Sequence, residues 1–125
     1  GIWPVAGEIT LDYGWQFNPV FKDWRYHPGV DIKTTDRVAV KAAYAGVVEE
    51  VGENQRTGLT VVVKTGRYQA IYGSLSESSV KKGQTIQMGQ MIGMTGECFT
   101  EPGIHLHFGL KNNGEYVNPR EVIPF

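Results

Sequence analysis

Cysteine is almost absent: Cys98 is the only one in 125 residues. No intrachain disulfide can form, so stability must come from packing, although this does not fix the compartment. Cys98 reads as a small loop or core residue. A nucleophilic role would need a histidine partner, and the histidines have a better use. No apolar run approaches the roughly 20 residues needed to span a bilayer, and no signal-peptide pattern is present. An excess of one charge is also missing. Twelve basic residues face thirteen acidic ones, for a net charge of −1. That balance argues against an electrostatic footprint for nucleic acid or an anionic membrane surface. Lys81-Lys82 is the only adjacent basic pair and reads as a solvated turn. Finally, no stretch sustains a helical period.

What remains is glycine and short β-branched runs. Val38 to Val51 is rich in Val, Ala and Tyr, with a break at Gly46. Leu59 to Lys64 reads as a strand, and Tyr68 to Tyr72 alternates and pairs with it across the Thr65-Gly66-Arg67 hairpin signal. Ile86 to Met94 reads as two short strands around Met88-Gly89-Gln90. Ile104 to Lys111 alternates with period two, and Tyr116-Val117 follows a turn at Asn112-Asn113-Gly114. Pro119 to Ile123 is expected to make one helical turn. Many short strands with frequent turns predict an all-β sandwich or open barrel. There is no internal repeat, and residues 1–125 read as one domain. The chain opens on Gly1 rather than methionine, so it is expected to be an excised domain with any anchor upstream. Gly1 to Arg25 is the least regular segment. It holds Trp3, Trp15 and Trp24, with Tyr13 and Phe17 beside them. These aromatics are expected to cover one end of the core, because tryptophan is buried on average; a wall of a peptide-binding groove is the other reading.

Histidine is scarce, and its placement carries chemistry. In His105-Leu106-His107 the two imidazoles lie two residues apart, so on a strand they share a face. Ile104, Leu106 and Phe108 then point to the opposite, apolar face. His27 and Asp31 are four apart, and Pro28-Gly29 can bend the chain to bring them together. Imidazole nitrogen and carboxylate oxygen are both good zinc donors. Two histidines and one carboxylate leave a fourth tetrahedral position for water, the pattern of catalytic zinc. Two surface histidines that happen to alternate would give the same tripeptide.

His27-Pro28-Gly29-Val30-Asp31 resembles the first metal motif of LytM/lysostaphin-type zinc endopeptidases, and His105-Leu106-His107-Phe108 resembles the second. Val40 to Val48, Val80 to Gly93 and Gly114 to Pro119 resemble the same family in order. The resemblance implies a LytM-like β-sheet core with a groove above a metal site. It further implies Zn2+ held by His27, Asp31 and His107. His105 would be the histidine that handles the proton of the attacking water, and the substrate would be peptidoglycan cross-link peptides. One departure stands out. The family carries a histidine in a Tyr-x-His-Leu motif, and here the matching segment is Tyr72-Gly73-Ser74-Leu75. A serine hydroxyl has no useful acid or base form near neutral pH, and losing a positioned acid or base removes about 10²–10⁴-fold in rate. Ser74 is therefore either a strand residue in a domain that no longer cuts or part of a rewired site. Tyr72 could orient water or substrate, or simply pack.

Within the family, Pro4 to Ile9 and Asp23 to Asp31 are similar to the stage II sporulation protein Q group of endospore-forming Firmicutes. That resemblance implies a membrane-anchored domain between forespore and mother cell. There it would bind stage III sporulation protein AH, support engulfment and form part of an intercellular channel. A working peptidoglycan endopeptidase relying on His105 alone is the alternative. A biotinyl- or lipoyl-type carrier is set aside: Lys64 is the only candidate for modification, and the three histidines would go unexplained.

Overall fold

The computed structural model describes residues 1–98 and 101–124. Twelve strands and one short helix follow in chain order: β1 (Glu8–Leu11), β2 (Gly14–Asn18), β3 (Asp23–His27), β4 (Val30–Lys33), β5 (Ala39–Lys41), β6 (Gly46–Asn54), β7 (Gly58–Thr65), β8 (Tyr68–Ser78), β9 (Thr85–Ile86), β10 (Met91–Cys98), β11 (Glu101–Asn112), β12 (Glu115–Val117) and α1 (Pro119–Val122). The protein is all-β, as its alternating runs predict, and every pairing is antiparallel. The main sheet runs β1-β4-β11-β10-β8-β7-β6-β9, with β12 added on β11 and β5 on β10; β11 also pairs with β8.

The expected hairpin forms at Gly66-Arg67, where Thr65 and Tyr68 are partners and Gly66 takes a φ of 58° that glycine tolerates best. The expected helical turn is α1. Asn118 caps it by accepting from the Arg120 N–H, and Pro119 opens it. Lys81 and Lys82 lie exposed at a turn. Cys98 is buried and donates toward the Arg56 carbonyl at 3.5 Å.

The core gathers the inward residues of the long strands: Val61 and Val63 of β7, Tyr72 of β8, Ile92 of β10, and Leu106, Phe108 and Leu110 of β11. Phe108 is fully buried, with the Trp3 ring at 5.9 Å and the Tyr72 ring at 5.5 Å. Full burial of such a side chain is worth about 1.5–3 kcal/mol.

The N-terminal segment corrects two expectations. It contains regular structure, because β2 and β3 form a separate two-stranded ribbon. Its aromatics also do not all cap the core. Trp3 packs on the core, but Trp15 and Trp24 are each 67% exposed. The register explains this. Trp15 faces Tyr26 and Phe17 faces Trp24 across the ribbon. The rings make edge-to-face contacts at 5.7 and 5.9 Å, so they gain cross-strand packing without burial.

Candidate metal centre

Three neighbouring strands supply the site. β4 lies against β11, with Asp31 opposite His107 and Lys33 opposite His105. Paired residues share a face, so Asp31 and His107 meet side by side. His27 ends β3, the chain turns through Pro28-Gly29, and β4 begins at Val30. That turn returns His27 over Asp31. His107 Nδ1 stands 2.9 Å and His27 Nε2 3.2 Å from Asp31 Oδ1. The two imidazoles meet edge to face at 5.1 Å.

The separations suit a metal ion. A tetrahedral ion with donors at about 2.0–2.1 Å would hold neighbouring donor atoms about 3.3 Å apart. One donor atom from each of His27, Asp31 and His107 lies within 4.8 Å of the others. The face carrying His105 and His107 is not a surface: His105 is 3% and His107 6% exposed. Two alternating surface histidines are thereby ruled out.

Hydrogen bonds behind the site set the ring nitrogens. A carbonyl oxygen only accepts, so His27 Nδ1 carries the proton it donates to Asp12 O at 3.1 Å. Nε2 is left to face Asp31, an arrangement typical of ligating histidines. Asp12 is itself held by Arg120 of α1 at 2.7 Å. His105 Nδ1 likewise donates to Gly103 O at 2.9 Å, which turns its Nε2 toward Glu101 Oε2 at 3.6 Å.

The electrostatics follow. Burial pushes the Asp31 carboxyl up, but hydrogen bonds from His107 and His27 outweigh it and hold the group well below the usual carboxylate range. Burial pulls the His27 imidazole down, yet the hydrogen bond and charge of Asp31 leave it above its ordinary value. Asp31 therefore stays ionised as an anionic donor between two imidazoles.

Sequence reasoning missed Glu101. Its carboxyl group lies beside Asp31 and His105, and a donor atom from each of the three falls within 4.8 Å of the others. Burial, then hydrogen bonding and repulsion from Asp31, push Glu101 up to about 8. The signal was faint: Glu101 shares odd parity with His105 and His107.

The other two sequence candidates sit differently. Tyr72 does not face the histidines. It pairs with Phe108 on the core side, is fully buried, and its hydroxyl accepts the Ala43 N–H at 2.8 Å. Burial pushes its phenol far up, so packing is the reading that fits. Ser74 follows Gly73, the partner of His107. It is 2% exposed, takes a φ of 62°, and its N–H donates to Thr57 O. This is a bulge, because the β7 register jumps from Leu59↔Leu75 to Val61↔Tyr72. A non-glycine residue held at positive φ marks local strain.

A two-histidine, one-carboxylate cluster on an antiparallel β-sheet is a donor set of the kind that metallopeptidases use. The chain belongs to peptidase family M23, which it matches over residues 25–119. It is 38% identical over 107 residues to an uncharacterised metalloprotease of Haemophilus influenzae, covering 84% of this chain and 22% of that protein. It is 30% identical over 119 residues to the DD-carboxypeptidase/endopeptidase Mpg of Neisseria meningitidis, covering 94% of this chain and 27% of that protein. The chain thus spans about a quarter of the length of these curated relatives. Among solved structures, Csd3 of Helicobacter pylori superposes with a TM-score of 0.85 and 30% identity, over 99% of this chain and 34% of that one. A chain of the SpoIIQ–SpoIIIAH pore-forming complex gives a TM-score of 0.81 at 22% identity, over 93% of this chain and 83% of that one, which is a likeness of fold. No helix among the described residues is long and apolar enough to cross a membrane.

Proposed function

We propose that this is a metal-holding M23 domain that acts by binding rather than by cutting. His27, Asp31 and His107 are its zinc ligands, and His105 is the imidazole behind them. Zinc held there would supply Lewis acidity and lower the pKa of a bound water to about 7. The chain's own residues do the rest: Asp31 supplies charge, Asp12 and Gly103 orient the rings, and His105 Nε2 stands ready to hold a proton. The observation that carries the binding reading is Ser74. The M23 histidine of the Tyr-x-His-Leu motif would stand in the bulge beside the His107 partner, and a serine there leaves proton transfer one group short.

The partner we propose is a SpoIIIAH-like mother-cell protein. The domain would lie in the space between forespore and mother cell, anchored in the forespore membrane by a segment upstream, and would support engulfment and an intercellular channel. The likeness of fold to SpoIIQ, which extends over most of both chains, and the sequence similarity at Asp23 to Asp31 support this reading. The alternative is an active endopeptidase on peptidoglycan cross-link peptides, favoured by the compact ligand triad and by the Mpg relative.

Two measurements test the proposal. The zinc-loaded domain is incubated with cross-linked peptidoglycan beside a chelated sample, and no new amino termini are expected in either. Termini in the zinc sample alone would establish the endopeptidase. Calorimetry against a SpoIIIAH-type domain should give submicromolar affinity, and no heat at high concentration would remove that partner.

A further inference from the structure

The ribbon of β2 and β3 carries most of the apolar surface that the fold leaves in water. Of the ten exposed large hydrophobic residues among those described, six lie on it or at its tip: Trp15, Phe17, Val20, Phe21, Trp24 and Tyr26. Contiguous exposed aromatics of this kind mark an interaction surface, whereas apolar residues scattered singly do not. The ribbon also joins no other sheet. A two-stranded ribbon on its own is marginally stable in water, and its unpaired edge is a template for a further strand.

The register divides the ribbon into two faces. Trp15↔Tyr26 and Phe17↔Trp24 lie on one, and Gln16↔Arg25 and Asn18↔Asp23 on the other. On β3, Asp23 and Arg25 therefore flank Trp24 symmetrically on the polar face, each about half exposed. That arrangement is complementary to itself. If β3 pairs antiparallel with β3 of a second copy about Trp24, Asp23 faces Arg25 of the other copy at both ends. Trp24 meets its own counterpart on the aromatic face. A shift of one residue would set aromatic residues opposite charged ones. A shift of two would set Arg25 opposite Arg25. Pairing through β2 keeps the faces but offers no opposite charges.

We propose that the chain forms a two-fold dimer through β3, joining two ribbons into one four-stranded sheet. The interface is isologous, with the same strand contributed by each copy. Opposite charges across neighbouring strands and a central aromatic pair both favour this register. The inference depends neither on the metal nor on the partner proposed above.

Sedimentation velocity of the purified chain at high micromolar concentration tests it. The parent should show a species of twice the 13.9 kDa chain mass. Asp23→Arg alone and Arg25→Asp alone should each sediment as monomers, because each sets like charges opposite one another at both ends of the pairing. Mixed in equal amounts, the two variants should recover the dimer, since opposite charges then meet at both positions. Trp24→Ser should be monomeric. Far-ultraviolet circular dichroism should match the parent for all three, as each changed side chain is well exposed. A monomeric parent would overturn the inference and leave the aromatic face to a different partner. A dimer that survives both charge changes, or folded variants that fail to recover it on mixing, would overturn it as well.

Discussion

Gly29 presses against the backbone of Phe108, so closely that a Cβ at position 29 would stand 2.5 Å from the Phe108 carbonyl oxygen and 3.0 Å from His107 Cε1. The turn between two candidate ligands therefore rests on the strand that carries the third. Gly29→Ala should force β4 and the turn away from β11. We expect it to cost stability by about 1–3 kcal/mol, as overpacking does, and to weaken zinc binding at the same time. Urea unfolding of the metal-free protein and a zinc titration read the two effects separately. An alanine variant with parental zinc affinity would mean that the turn does not set the ligand geometry.

His27 links metal binding to pH. In the metal-free protein its pKa lies above the ordinary 6.5, so protons compete with zinc from a higher pH than for a free imidazole. Below that raised value the apparent zinc affinity should fall about tenfold per pH unit for the one proton displaced. Asp31 adds nothing to this fall, since its carboxyl titrates far below. His27→Ala should weaken zinc by on the order of 100-fold or more, beyond the loss typical of an outer partner. It should also flatten the pH slope by one proton. Chelator competition between pH 5.5 and 8 gives both numbers, and an unchanged slope would exclude His27 as the competing group.

The alternation of β11 was legible because its even positions from Ile104 to Leu110 are all apolar, and so was the shared face of His105 and His107. His27 and Asp31 were legible as a pair through Pro28-Gly29. Glu101 was not. Period two alone would carry it about 13 Å along the strand from His105, and only the bulge at Gly103, where three residues of β11 stand opposite one of β10, brings it back. Nothing in the local sequence announces how many residues that bulge absorbs. Trp15 and Trp24 misled for a different reason. Their burial was inferred from an average for the residue type, whereas the ribbon of β2 and β3 stands apart from the main sheet and gives them only each other's neighbours to pack on.

Tyr72 separates packing from chemistry within the Tyr72-Gly73-Ser74-Leu75 segment. Its hydroxyl is the partner of the Ala43 N–H, and both groups are buried. Tyr72→Phe keeps the ring against Phe108 but orphans that N–H, which should cost about 1–3 kcal/mol. Zinc affinity should stay at the parental value, because the hydroxyl points away from the histidine face. A large drop in zinc affinity with unchanged stability would restore Tyr72 to the site.

The metal-free domain should be most stable in mild acid, and the sign follows from three groups. Asp31 is depressed, so its contribution is present above its unfolded value of 3.8 and lost as pH falls through the folded one. His27 is raised, so its contribution is full below 6.5 and lost as pH rises through its folded value. Glu101 is an acid raised from 4.5 to about 8; between those values the unfolded chain releases a proton that the folded chain retains. Stability therefore falls with pH across that window. Glu101→Gln removes this last term. It should match the parent near pH 4.5 and exceed it by about 1–2 kcal/mol near pH 8, after allowance for solvent screening of a partly exposed group. Zinc should reverse the trend, because ligand binding stabilises by RT ln(1 + [L]/Kd) and Kd falls as the imidazoles lose their protons. Urea midpoints at pH 4.5, 6 and 8, with zinc and with chelator, should cross between the two series. Parallel series would mean that zinc does not bind where Asp31, His27 and Glu101 titrate.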